Sequence, residues 1–240
     1  MRNVPGLLIA VALLAACGEN ASQPTIVPQL SIIAGNAQID TIGKVLPTQI
    51  AAALRDKESG APLAGRIVNW VVIEGGGQVF APVVQTGADG IARQTWTLGM
   101  TTGRQRVVAR WIDPATGEPL TLDTASATAM PAHAVSFMVA FGGSNQLAVG
   151  DTATILYWYR DQYGNRNAPC ADGGAGDRVL WTSADSTAVR PLGNAMAVPD
   201  GWATQVVALA VRTPGIDVRG HALASCAPQD SLAGVSFLVR

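Results

Sequence analysis

Charge, histidine and cysteine are all scarce in this sequence, and each shortage removes a class of function. Charged side chains make up 14% of the 240 residues, with 16 basic against 17 acidic and a formal net charge of −1. A balance so near zero, without a basic patch or a long charge run, offers no attraction to nucleic acid or to an anionic membrane surface. It also argues against a helical bundle, which needs far more Glu, Lys and Arg. The two histidines, His133 and His221, stand 88 positions apart, and neither sits at ligand spacing from a pair among the three cysteines, so no metal site is expected. No Gly-x-Ser-x-Gly, His-Glu-x-x-His, Walker-type or dinucleotide glycine motif occurs. Gly75-Gly76-Gly77 is no phosphate loop, because no helix follows to offer its N-terminus. A Ser/His/Asp triad would have to assemble without any local signature. The expectation is a chain that is not an enzyme and takes no cofactor.

Long apolar runs are missing as well. The longest, Val4 to Ala16, has 13 residues, well short of the roughly 20 a helix needs to span a bilayer. One cation, Arg2, precedes it and small residues close it, which is the layout of a cleaved secretory signal. Its last four residues, Leu14-Ala15-Ala16-Cys17, resemble the lipobox of bacterial lipoproteins. That resemblance implies a signal peptide over 1–16, diacylglyceryl modification of the Cys17 thiol, and Cys17 as the new N-terminus. An ordinary cleaved signal with a stray cysteine is the alternative. A single acyl chain holds a protein only marginally, whereas two or more anchor it stably. Gly18 stands where, in the family, an Asp would signal inner-membrane retention, so the resemblance points to the outer membrane. Residues 17–30 then read as a lipidated tether, with two prolines and little periodicity.

Cys170 and Cys226 are left as an even pair in an oxidising compartment, which favours a disulfide over two independent buried thiols. The loop it would close, about 57 residues, is worth roughly 4 kcal/mol in the chain-entropy model.

What the sequence does contain is turn-forming residues, 26 glycines and 14 prolines, separating short alternating segments. That is the signature of an all-β sandwich or barrel. Val68, Trp70 and Val72 share one face of a strand that Gly75-Gly76-Gly77 ends. Ala88-Asp89-Gly90 reads as a hairpin turn, followed by one strand over Ala92–Leu98 with Trp96 and Leu98 on one side. Val107, Ala109 and Trp111 line a later strand. Ile155, Tyr157 and Tyr159 form one face and Leu156 and Trp158 the other, so that strand is expected to be central. Val206–Val211 is expected as a further strand, and Met130-Pro131-Ala132 reads as a linker.

The pieces Ile50–Leu54 with Arg55-Asp56, Ala61-Pro62-Leu63-Ala64-Gly65, Val68-Asn69-Trp70, the triple glycine, Thr86–Ala92 and Thr95–Gly99 together resemble the group 1 bacterial immunoglobulin-like domain of invasin and intimin type. Gly87 stands where that family commonly has Asp, and Arg66 where it has an apolar residue. The second half resembles group 1 and group 2 domains more loosely, through Val149-Gly150-Asp151-Thr152 and Trp181-Thr182-Ser183. The implied architecture is two tandem immunoglobulin-like β-sandwiches, over 31–130 and 131–240.

The resemblance implies adhesion, presentation or spacing at the cell envelope, with the membrane reached through the lipid anchor and a protein or glycan as ligand. A glycan-binding module using the loop aromatics Tyr163 and Trp202 is the alternative. Residues 161–177 hold enough Asp and Asn to suggest calcium but lack the Asp-x-Asp-x-Asp-Gly spacing and closing Glu, so a solvated loop is expected there.

Overall fold

A computed structural model of the protein describes residues 26–112, 116–166, 168, 179–193, 195–199, 201–222 and 232–240. Cys17, Cys170 and Cys226, the signal peptide and most of the 161–177 loop lie outside the described residues. Those that are described form strands and turns with no helix.

The first half contains β1 (Pro28–Ala34), β2 (Gln38–Thr41), β3 (Ile50–Asp56), β4 (Ile67–Glu74), β5 (Gln78–Val79), β6 (Val83–Gln85), β7 (Ile91–Gln94), β8 (Trp96–Thr97), β9 (Gly103–Ile112) and β10 (Pro119–Met130). One sheet runs β1-β3-β7 and the facing sheet β2-β10-β9-β4-β6, with β5 and β8 as a small separate pair. Period-two alternation decides which side chains enter the core between them. Trp70, Val107 and Ala109 point inward, and Trp96 and Leu98 follow from the β7–β8 side. Burying one large apolar side chain contributes about 1.5–3 kcal/mol, so these inward rows drive the half to close.

The second half contains β11 (Ser136–Phe141), β12 (Gln146–Leu147), β13 (Thr152–Arg160), β14 (Val179–Ser183), β15 (Val189–Pro191), β16 (Met196–Val198), β17 (Gly201–Ala208), β18 (Arg212–Ala222) and β19 (Leu232–Val239). Its sheets run β11-β13-β17-β15 and β12-β19-β18-β14. The two halves share one strand order: β1-β3-β7 corresponds to β11-β13-β17, and β2-β10-β9-β4 to β12-β19-β18-β14. In both, a short strand pairs in parallel with the last strand, β2 with β10 and β12 with β19. The Trp-bearing strands β4 and β14 occupy equivalent places, as in an immunoglobulin-like sandwich. Each half packs its own core. The second is aromatic, with Phe137 5.4 Å from Tyr159 and Tyr157 5.4 Å from Trp181, ring centroid to centroid. As its two-sided apolar pattern requires, β13 is central, between β11 and β17.

Four expectations need correction. The Ala88-Asp89-Gly90 turn is tight, with Gly90 at φ 73°, but it is not a hairpin: β6 pairs with β4 and β7 with β3, so the turn carries the chain from one sheet to the other. The single strand over Ala92–Leu98 is broken at Thr95. There the buried Gln94 side chain takes up backbone groups, donating through Nε2 to the Ala81 carbonyl and accepting the Thr95 N–H at 2.8 Å, and the chain changes partner from β3 to β5. The strand at Val206–Val211 stops at Ala208, because the Leu209 N–H donates instead to the Ala188 carbonyl at 2.7 Å. Finally, β1 begins at Pro28, within the stretch expected to be tether, and buries Leu30.

Candidate functional site

The best-organised polar cluster among the described residues lies where the two halves meet. It is built where β13 ends at Arg160 and the chain passes to Asp161, much as β3 ends on Asp56. Asp161 is 2% exposed, and a buried carboxylate persists only when its oxygens are hydrogen-bonded. Its Oδ1 accepts the N–H groups of Tyr163 and Asn165, both at 2.9 Å. Its Oδ2 accepts the Ala132 N–H at 3.0 Å and Asn165 Nδ2 at 2.9 Å. The Gly164 N–H returns to the Asp161 carbonyl at 3.0 Å, and Gly164, at φ 84°, supplies the left-handed conformation that this tight loop needs.

Asn165 carries the cluster across to the first half. Its Nδ2 also donates to the Met100 carbonyl at 3.0 Å, and its Oδ1 accepts the Thr102 N–H at 3.4 Å. Met100 and Thr102 belong to the turn between β8 and β9. After Asn165, the Arg166 guanidinium lies over the Trp158 ring at 4.5 Å, a cation–π contact that holds the outgoing chain against β13. Beside this cluster is a cleft of about 430 Å³, lined among others by Thr41, Lys44, Pro131, His133, Gln162 and Tyr163.

The equivalent corner of the first half uses Asp56 in the same way. Asp56 Oδ1 accepts the Val27 N–H at 3.0 Å, just before β1, and Oδ2 accepts the Ser59 hydroxyl at 2.5 Å. These hydrogen bonds hold the Asp56 carboxyl below the ordinary aspartate value of 3.8, the Ser59 hydroxyl being the largest cause. Asp89 is lowered chiefly by its hydrogen bond from Arg93, and Asp185 by those from Thr187 and then Arg212.

Tyr163 lies on the cleft and is 49% exposed. Trp202 is not a loop aromatic. It sits in β17 with its ring stacked on Tyr157, centroids 6.2 Å apart and planes 22° apart, and with its edge toward Tyr159. The structure therefore separates the two aromatics, keeping Tyr163 at the surface and enlisting Trp202 in packing. His133 lies in the chain between the halves, on the same cleft, while His221 lies in β18 opposite Leu180 and Leu232. Among the described residues no group of three or more His, Cys, Asp and Glu side chains could hold a metal ion.

Two features went unread in the sequence. Asn165 falls in the 161–177 stretch expected to be a solvated loop, but its partners across the junction, Met100 and Thr102, lie more than sixty positions away. Phe80, 89% exposed, directly follows β5, and its N–H donates to the Thr95 carbonyl at 3.0 Å.

No family model matches the sequence, and no curated protein matches it. Solved structures do. InvD of Yersinia pseudotuberculosis aligns over 89% of this chain and 58% of its own, at 14% identity and a TM-score of 0.50. FdeC, an Escherichia coli adhesin, aligns over 90% of this chain and 64% of its own, at 17% identity and a TM-score of 0.44. The adhesin InvE of Yersinia pseudotuberculosis aligns over 88% and 58%, at 14% identity and a TM-score of 0.39. The chain thus spans less than two thirds of the length of each, and what it shares with InvD is the fold, an all-β arrangement of immunoglobulin-like sandwiches.

Proposed function

We propose that the chain is a non-enzymatic envelope protein, anchored through lipid on Cys17, in which two tandem immunoglobulin-like domains, the first beginning with β1 and the second over 131–240, serve adhesion, presentation or spacing. The observation that carries this reading is the repeated strand order, with one half joined to the next through Asp161 and Asn165 at a built junction. Such a unit holds its loops and outer sheet faces at a fixed distance from an anchor. The invasin- and intimin-like motifs of the first half and the fold shared with InvD support the same role. Fold alone does not fix function, so the binding itself has to be measured.

Beads coated with the protein, passed over immobilised host-surface proteins, envelope proteins and a polysaccharide panel, test it. Retention on protein surfaces supports adhesion or presentation. The cleft favours a second reading, because it brings the exposed Tyr163 ring together with Gln162 and Lys44, a combination that suits a sugar. Retention on polysaccharide alone, lost in Tyr163→Ala, supports that reading instead. No retention on any surface contradicts both adhesion and the sugar reading and leaves spacing as the role.

A further inference from the structure

We propose that Asn165 is a latch that fixes the angle between the two halves. Its side-chain amide does three things at once: Nδ2 donates to Asp161 Oδ2 at 2.9 Å and to the Met100 carbonyl at 3.0 Å, and Oδ1 accepts the Thr102 N–H at 3.4 Å. Two of these bonds cross to the turn between β8 and β9, so the amide plane is oriented from both sides. Its anchor is rigid, because Asp161 is buried and its oxygens are also engaged by Tyr163, the Asn165 backbone and Ala132. The Ala132 bond ties the same carboxylate to the chain that joins the halves. A linker gripped at its root, with a side-chain contact beyond it, has two restraints where a free linker has none.

The first half shows that the amide is not needed to close such a loop. There Asp56 grips Val27 as Asp161 grips Ala132, and the Gly60 N–H returns to the Asp56 carbonyl at 2.8 Å. Yet Gly60 matches Gly164, both at positive φ with their N–H returned to the aspartate carbonyl, and the residue that matches Asn165 is Ala61, whose carbonyl accepts the Asp56 N–H at 2.9 Å as that of Asn165 accepts the Asp161 N–H at 3.1 Å; its methyl group offers no hydrogen bond to anything beyond. The closing backbone bonds recur in both halves, around a first loop one residue longer than the second, and the amide is added where a second half must be held. The latch goes beyond the proposed function and does not depend on it: a unit that adheres to nothing would still be latched.

Double electron–electron resonance on the full chain in detergent micelles tests it. Reporter cysteines replace Val83 in the first half and Val149 in the second, both about half exposed, with Cys170 and Cys226 changed to Ser. The parent should give one narrow distance peak. Asn165→Ala, which installs the first half's own residue, should lose that peak to a broad distribution while the circular dichroism spectrum and thermal transitions persist. A narrow peak surviving in Asn165→Ala, or a broad distribution in the parent, overturns the latch. So does an Asn165→Ala chain that no longer folds, provided Asn165→Gly fails too, since the residue would then be holding its own half together.

Discussion

Trp70 shows how much a single side chain commits in this fold. It is buried on β4 opposite Ala109, and its indole Nε1 is buried with no hydrogen-bond partner among the described residues. The ring therefore contributes through packing and carries an unpaired donor at some cost. Trp70→Ala should destabilise the first half by about 3–5 kcal/mol, whereas Trp70→Phe, which deletes the unpaired donor and keeps most of the ring, should cost clearly less; denaturant titration separates the two. The carboxylates Asp56, Asp89 and Asp185 set the acid response. Each has a folded value below the ordinary 3.8, so the unfolded chain takes up its protons first as pH drops. Their stabilisation is present above about pH 4–5 and is lost as pH falls through their lowered folded values. Melting temperature should be level near neutrality and decline below about pH 4, and the Asp185→Asn variant should show a shallower decline.

Strands are held at their ends and edges by contacts that no local pattern reveals. The outer edge of β1 is covered by side chains from β10: the Leu30 N–H donates to Thr121 Oγ1 at 3.1 Å and the Ile32 N–H to Asp123 Oδ2 at 2.7 Å. An uncovered edge invites pairing between molecules. Asp123→Ala leaves the Ile32 donor without its partner, so it should cost about 1–3 kcal/mol and raise light scattering on storage, while Asp123→Asn, which keeps an acceptor, should do neither to the same degree. At the end of β4 the triple glycine meets Gln105. Gly75 has φ 90°, and a Cβ there would fall 2.3 Å from Gln105 Cγ. Gln105 itself is buried, accepting the Gly99 N–H at 2.7 Å and donating to the Thr101 carbonyl at 2.9 Å. Gly75→Ala must therefore both adopt a disfavoured backbone and displace a satisfied polar side chain. A loss of at least about 2 kcal/mol in a urea titration is expected.

These elements also mark what could be read beforehand. Inward faces such as Val68-Trp70 and Ile155-Tyr157-Tyr159 are written in period-two alternation and need only their own strand to be recognised. The Asp89-Gly90 turn announces a reversal but not the next partner, because pairing is decided by the opposite sheet. The edge cover on β1 joins residues 91 positions apart, and Trp202 enters the core only because β17 lies beside β13. For the site, Asp161, Gly164 and Asn165 were legible as a loop. Their grip on Ala132, Met100 and Thr102 was not, since it exists only once both sandwiches have formed.

At the scale of the molecule, two halves with one strand order meet at a carboxylate and an amide. Under the proposed function such a chain acts through where it is held and what it holds up. Its proposed role as an envelope presenter therefore turns on the anchor, and the measurement that tests this most directly is mass spectrometry of the amino-terminal peptide of the mature protein recovered from cell envelopes. The account predicts a peptide that begins at Cys17 and carries diacylglycerol and acyl groups on that residue. A peptide that retains residues 1–16, or one with an unmodified thiol at position 17, contradicts it.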